Sequence, residues 1–220
     1  MIGVRNIFEG KACNVIRVLL VNWPRSWDLR SLAHEAGVSL YTIQAVTNNL
    51  LKEKYAIRES KRGEFKLMNP EILLKRWAAY NNFSARHLFI QYYTFEQEID
   101  KFVERLKEVK EPRYAITSLA GALQVAPYVR PTNIYLYTGS EKDAEAIAKK
   151  LDLKHVETSG NVIFVVPDNE HIFYGLQNIN NVSVVSNIQL YVDLLNYAGR
   201  GEEAAGELLK KINKNWKEGG

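Results

Sequence analysis

Asp28-Leu29-Arg30-Ser31-Leu32-Ala33-His34-Glu35-Ala36-Gly37-Val38-Ser39-Leu40-Tyr41-Thr42-Ile43-Gln44-Ala45-Val46-Thr47-Asn48-Asn49-Leu50-Leu51 is the stretch whose reading decides the fold. Gly37 stands where a helix from Leu29 to Ala36 must stop, because glycine enters the left-handed backbone that ends helices at no steric cost. Ser39 then offers a hydroxyl oxygen to the first free amides of a second helix. Leu32, Ala33 and Ala36 form one apolar stripe. Ile43, Val46, Leu50 and Leu51 form another at spacings of three and four, so the two short helices can pack across the turn. The remaining face of the second helix carries Tyr41, Gln44, Ala45 and Asn48. Short polar groups, an amide and a phenol on such a face are the chemistry that reaches base edges in a major groove.

Immediately downstream, Ile57 to Leu67 predicts a basic hairpin. Ile57, Phe65 and Leu67 are expected to face inward. Lys61-Arg62-Gly63 is expected at the tip, where glycine suits the turn and two cations point outward towards phosphates. Helix, turn, helix and hairpin together predict a winged helix-turn-helix over residues 1–70. Two amphipathic helices joined by glycine also serve as protein-contact modules, so an interaction scaffold is the competing reading of the same stretch.

The charge distribution agrees with a nucleic-acid partner. Residues 1–70 hold 11 Lys and Arg against 6 Asp and Glu, an excess of five, whereas residues 71–220 hold 18 against 19. A basic excess confined to the module that resembles a groove reader is the expected electrostatic footprint of duplex binding. The length of 220 residues and a hydrophobic share of 46% leave room for two ordinary cores. No apolar run approaches the ~18 residues that span a bilayer, and Met1 to Gly10 lacks the order of a signal peptide, so a cytoplasmic location without a membrane partner is expected. Cys13 is the single cysteine, which excludes an internal disulfide, and it is expected in the core.

Around this module the periodicity predicts a first helix over Lys11 to Asn22, ended by Trp23-Pro24, with Asp28 capping the next. Asn69-Pro70 predicts a cap and a first-turn proline for a connector helix within residues 71–85. Residues 86–220 then alternate strand and helix signals. Strands are expected over Arg86 to Tyr93, Tyr114 to Thr117, Asn133 to Tyr137 and Val182 to Val185, with a hairpin of His155 to Thr158 and Asn161 to Val166 around Ser159-Gly160. Helices are expected over Glu96 to Val109, Ser118 to Tyr128, Glu141 to Leu151, Ile188 to Ala198 and Glu202 to Trp216. The fold class is α+β, with an N-terminal winged helix-turn-helix followed by a mixed α+β C-terminal domain.

Four blocks carry a resemblance: Tyr114-Ala115-Ile116-Thr117-Ser118-Leu119-Ala120-Gly121-Ala122, Ala126-Pro127-Tyr128-Val129, Val184-Val185-Ser186-Asn187-Ile188-Gln189-Leu190-Tyr191-Val192-Asp193-Leu194-Leu195, and Gly199-Arg200-Gly201-Glu202-Glu203-Ala204-Ala205. In this order they resemble the AbiEi-type antitoxin family of type IV toxin-antitoxin systems, over most of residues 10–215. Asn187 stands where that family usually has proline, and Tyr55 where winged helices usually have a glycine. The resemblance implies a DNA-binding repressor of its own operon whose C-terminal domain counters a nucleotidyltransferase-like toxin.

Enzymatic readings are weaker. Thr138-Gly139-Ser140 before the helix at Glu141 is similar to a phosphate-cradling loop and to the glycine-serine signature of nucleotidyltransferases, but no pair of carboxylates one residue apart follows on the strand Val162 to Val166. A strand end with a capping serine is the simpler expectation. A nuclease would need an acid followed two residues later by lysine, which neither Glu157 nor Asp168 has, and His34, His87, His155 and His171 lie on four separate elements. Asp193 is expected as a buried acid holding helix to sheet. Tyr92, Tyr93, Phe95, Tyr135 and Tyr137 admit a single-strand or RNA platform, although tyrosine and phenylalanine in strands are more often core.

The sequence therefore predicts no catalytic residue, metal or cofactor and a regulator that is not an enzyme. Tyr41, Thr42, Gln44, Ala45 and Asn48 are expected at bases, with Gln44 or Asn48 best suited to bidentate contact with adenine. Arg30, Ser39, Lys52, Arg58, Lys61 and Arg62 are expected at phosphates. One wing reads few base pairs, so an inverted-repeat operator and a homodimer, or two monomers on adjacent half-sites, are expected.

Overall fold

The computed structural model describes residues 6–60, 63–81, 83, 87–96, 98–128 and 130–218. Its elements make a mixed α+β chain in two compact units, one of Met1–Asn81 with Leu209–Gly220 and one of Asn82–Leu208. The first unit opens with helices α1 (Ala12–Val21), α2 (Leu29–Glu35) and α3 (Leu40–Lys52), followed by the antiparallel pair β1 (Ala56–Arg58) and β2 (Phe65–Leu67), and by α4 (Pro70–Tyr80). Val15, Ile16, Val18 and Leu20 of α1 are fully buried, as are Leu32, Ile43, Val46, Leu50 and Phe65. Asn14 is buried among them, and its amide nitrogen donates to the carbonyl of Ala36 at 3.1 Å, satisfying the end of α2. Trp27 extends the small sheet, exchanging two backbone hydrogen bonds with Phe65 at 2.9 and 2.7 Å.

Three local expectations change here. Ile57 pairs with Lys66 and faces outward, 47% exposed, whereas Ala56 takes the inner side. The strand period of two allows only alternate residues inside, and Ala56 opposite Leu67 sets that phase. Cys13 is half-buried, its thiol donating to the Gly10 carbonyl at 2.9 Å, because Ala12, Asn14, Val15 and Ile16 take the inner positions of α1. Asn69 makes no side-chain cap on α4; its amide donates to Lys54 instead. Lys54, with φ 61°, makes the left-handed step before the hairpin, one residue ahead of Tyr55.

The helix expected as a connector buries Leu73, Leu74 and Trp77 within the first unit. That unit also takes the end of α9 (Gly201–Glu218), assigned from sequence to the C-terminal domain: Trp216 meets Trp23 edge to face at 5.9 Å, and Asn213 donates to Glu71 at 2.8 Å. An amphipathic stripe ending in Ile212 and Trp216 specifies a buried face without naming its neighbour.

The second unit is one mixed seven-stranded sheet. Its strands are β3 (His87–Tyr93), β4 (Tyr114–Thr117), β5 (Ile134–Thr138), β6 (Lys154–His155), β7 (Val162–Pro167), β8 (Gln177–Ile179) and β9 (Val182–Val184), in the order β6-β3-β7-β5-β4-β9-β8. The expected β6–β7 hairpin does not form, because β3 lies between and pairs antiparallel with both. Gly160 makes the crossing possible: a Cβ there would stand 2.7 Å from the Tyr92 carbonyl oxygen. β8, absent from the expected strands, forms a hairpin with β9 around Asn180 and Asn181, both at positive φ. The Asn180-Asn181 pair, a residue type that tolerates positive φ, was the signal for it.

Helices α5 (Ile99–Leu106), α6 (Ser118–Val125), α7 (Glu141–Lys150) and α8 (Asn187–Leu195) complete the unit. The phenol of Tyr114 donates to the Leu106 carbonyl of α5 at 2.9 Å, and Glu145 of α7 lies near Tyr92, on the same sheet face. On the opposite face, Thr117 donates to Asp193 of α8 at 2.6 Å, and Gln189 donates to the other carboxylate oxygen at 2.7 Å. All three side chains are buried, so Asp193 does hold helix to sheet. Gly121 lets α6 lie between: a Cβ would stand 3.0 Å from Leu190 and 3.2 Å from the Ile116 carbonyl.

Asp193→Ala strands the Thr117 hydroxyl and the Gln189 amide in the core, and should lower stability by about 3 kcal/mol, read as a lower urea midpoint by far-ultraviolet circular dichroism. In the first unit, Lys75 and then Asn213 hold the Glu71 carboxyl below its ordinary 4.5. The folded pKa is depressed, so this contribution is fully present above pH 4.5 and fades as pH falls through the lowered value. Glu71→Gln should therefore flatten the acid limb of a stability-against-pH curve followed by tryptophan emission, since Trp23, Trp27, Trp77 and Trp216 all lie in this unit.

Candidate nucleic-acid interface

Asp28, Gly37 and Ser39 fix where α2 starts, where it stops and where α3 begins. Asp28 caps α2, accepting from the amides of Arg30 and Ser31 at 3.0 and 2.9 Å, and these bonds, with that from the Ser31 hydroxyl first, hold its carboxyl below the usual range. At the other end Gly37 takes φ +60°, its amide donates to His34 at 3.1 Å, and the next amide, of Val38, reaches back to Ala33 at 3.0 Å. This pair of bonds is the Schellman closure that a left-handed residue permits. Ser39 then caps α3, accepting from the Thr42 amide at 3.2 Å.

From that cap, α3 turns Ile43, Val46, Thr47 and Leu50 inward. The opposite stripe is exposed: Tyr41 at 52%, then Gln44, Asn48 and Lys52 at helical spacing. Thr42 and Ala45 flank the stripe half-buried, and Thr42 places its hydroxyl 3.0 Å from that of Ser39. Of the residues expected at bases, three thus stand outward on one line and two lie at its margin. Of those expected at phosphates, Arg30, Ser39 and Lys52 are exposed. Arg58 is half-buried, and its Nε donates to the Gly63 carbonyl at 2.8 Å, closing the hairpin. Lys61 and Arg62 lie outside the described residues.

Two cations were missed. Lys66 is exposed on the outer face of β2, legible in the alternation of Phe65, Lys66 and Leu67. Arg25 stacks on the ring of Trp27 at 3.9 Å, a contact between residues two apart in a non-helical segment that no sequence period announces. Glu59 and Glu64 are exposed on the same hairpin, so its surface carries both signs.

Of the other residues singled out from sequence, several are built into the fold. Ser140 caps α7, accepting from the Asp143 amide at 3.2 Å. Tyr92 and Tyr137 are buried, whereas Phe95 is 72% exposed with Lys154 over its ring at 4.9 Å. Among the described residues no group of three or more His, Cys, Asp or Glu is placed to hold a metal ion, and no helix is long and apolar enough to cross a membrane.

The chain is thus mixed α+β, with a polar stripe on α3 and a hairpin whose surface carries both signs. The family model described as "Transcriptional regulator, AbiEi antitoxin, Type IV TA system" matches residues 66–213, about two thirds of the chain, and the chain belongs to that family. The match begins in β2 and ends in α9, leaving α1, α2 and α3 outside it. No curated protein and no solved structure matches the chain.

Ser39→Ala removes the cap of α3 and should cost about 1 kcal/mol, seen as a lower thermal midpoint of tryptophan emission.

Proposed function

We propose that this protein is a sequence-specific, DNA-binding transcriptional regulator whose first unit works as a winged helix-turn-helix. α3 would enter the major groove and the β1–β2 hairpin would lie along the backbone. The observation that carries the reading is the exposed stripe of Tyr41, Gln44, Asn48 and Lys52 on a helix whose other side is fully committed to the core. Gln44 and Asn48 bear the amides that bond adenine on two atoms, Tyr41 adds a ring and a hydroxyl, and Arg30, Ser39, Lys52, Arg58, Lys61, Arg62 and Lys66 serve phosphates. The basic excess of residues 1–70 supports the same assignment.

Family membership supports the remaining parts: repression of its own operon, and an antitoxin role in which the second unit counters a nucleotidyltransferase-like toxin. That unit is taken as non-catalytic. The serine of its one nucleotidyltransferase-like loop is engaged as a helix cap, and Asp193 as a strut. Two copies would occupy the half-sites of an inverted repeat in the cytoplasm, roughly 34 Å apart.

Fluorescence anisotropy with the chain's own upstream DNA and a random duplex, at two salt concentrations, tests the assignment. Gln44→Ala or Asn48→Ala should cost about 1–3 kcal/mol on the operator alone, and Lys61→Ala or Arg62→Ala should weaken both duplexes and reduce the salt slope by about one each. Unchanged operator selectivity in the α3 variants would defeat the docking arrangement. Footprinting should show two protected half-sites; one uninterrupted site bound by a single chain would count against the paired arrangement.

A further inference from the structure

The sheet face that carries Thr117 and Tyr135 is covered unevenly. α6 and α8 lie over its β4 side, and past the end of α8 the chain leaves an opening above β3 and β5. The register aligns Phe89, Val165 and Tyr137 across β3, β7 and β5 on this face. Over them Phe83, Phe89, Tyr135, Asn196, Tyr197 and Ala198 wall a cavity of about 360 Å³, within the range of small-molecule sites. Asn196 and Ala198 are exposed and form its rim.

The rings in this wall stand across one another. Tyr135 and Tyr197 meet at 5.6 Å with planes 87° apart, Phe83 and Phe89 at 5.5 Å and 66°, and Phe83 and Tyr135 at 6.2 Å and 61°. Crossed rings present a face on one side and an edge on another, which is the arrangement a flat π-system fills. Among the described residues no lining side chain is charged, so a phosphate, carboxylate or ammonium would find no counter-charge among them. Among the described residues, polar character comes from two phenols and the Asn196 amide, whose nitrogen donates to the Val192 carbonyl at 2.9 Å and whose oxygen is the acceptor it offers. Burial raises the pKa of both phenols, with Tyr197 adding to the effect on Tyr135, so each keeps its proton at neutral pH and can donate.

We propose that this cavity is a binding site for a neutral, planar heteroaromatic molecule of up to nucleoside size, held by the rings of Phe89, Tyr135 and Tyr197 and oriented by the phenol hydroxyls. The site lies wholly within the second unit and does not depend on the DNA-binding assignment, so failure of either leaves the other standing.

The test titrates the full chain with adenosine, with indole and with cyclohexanol, which has comparable bulk and no π-face, by calorimetry. Saturable one-to-one binding of adenosine, of indole or of both, with none of cyclohexanol, is the expected result. Tyr197→Ala should weaken it about tenfold, the loss of one aromatic stack. Ala198→Trp, which builds a ring into the rim, should abolish it with the circular dichroism spectrum unchanged, and Phe95→Ala, outside the lining, should leave it intact. Absence of binding by both aromatic probes, equal binding of cyclohexanol, or indifference to Tyr197→Ala and Ala198→Trp together would overturn the proposal.

Discussion

The left-handed turn at Gly37 is the constraint on which the first unit depends. It stops α2 after seven residues, closes the two back-reaching bonds to His34 and Ala33, and delivers Ser39 to the start of α3 in extended geometry. No side chain with a Cβ enters φ +60° without strain. Were the turn lost, α3 would rotate or translate, and the stripe from Tyr41 to Lys52 would lose its common outward face. The buried Asn14 amide on Ala36 secures the same corner from behind, so α1, α2 and the turn form one rigid seat for α3.

The second unit solves a different problem, how helices on two faces of a mixed sheet stay in register with it. One answer is a buried polar strut, Thr117 to Asp193 to Gln189, which ties a strand end to α8 by directional bonds that apolar packing cannot supply. Another is close approach at Gly121, where a Cβ would crowd Leu190 of α8 and the Ile116 carbonyl. Together these place α6 and α8 over the β4 side of one face and leave the aromatic opening beyond them. Scaffold and cavity thus have one cause.

The family match covers the hairpin's second strand through most of α9 and leaves α1, α2 and α3 outside.

What the sequence by itself determined was local. Gly37, Ser39, Asp28 and the three-and-four spacing of Ile43, Val46 and Leu50 specified two helices, their turn and the outward stripe, because caps and periodicity act within a few residues. The Asn180-Asn181 turn was equally local and legible in principle. Tertiary structure alone decided pairings between distant segments: β3 inserted between β6 and β7, and the end of α9 with Trp23 and Glu71. An apolar stripe or a strand edge states that a partner is required. Which partner it meets depends on chain closure and on competition among all buried faces at once, and no window of sequence contains that information.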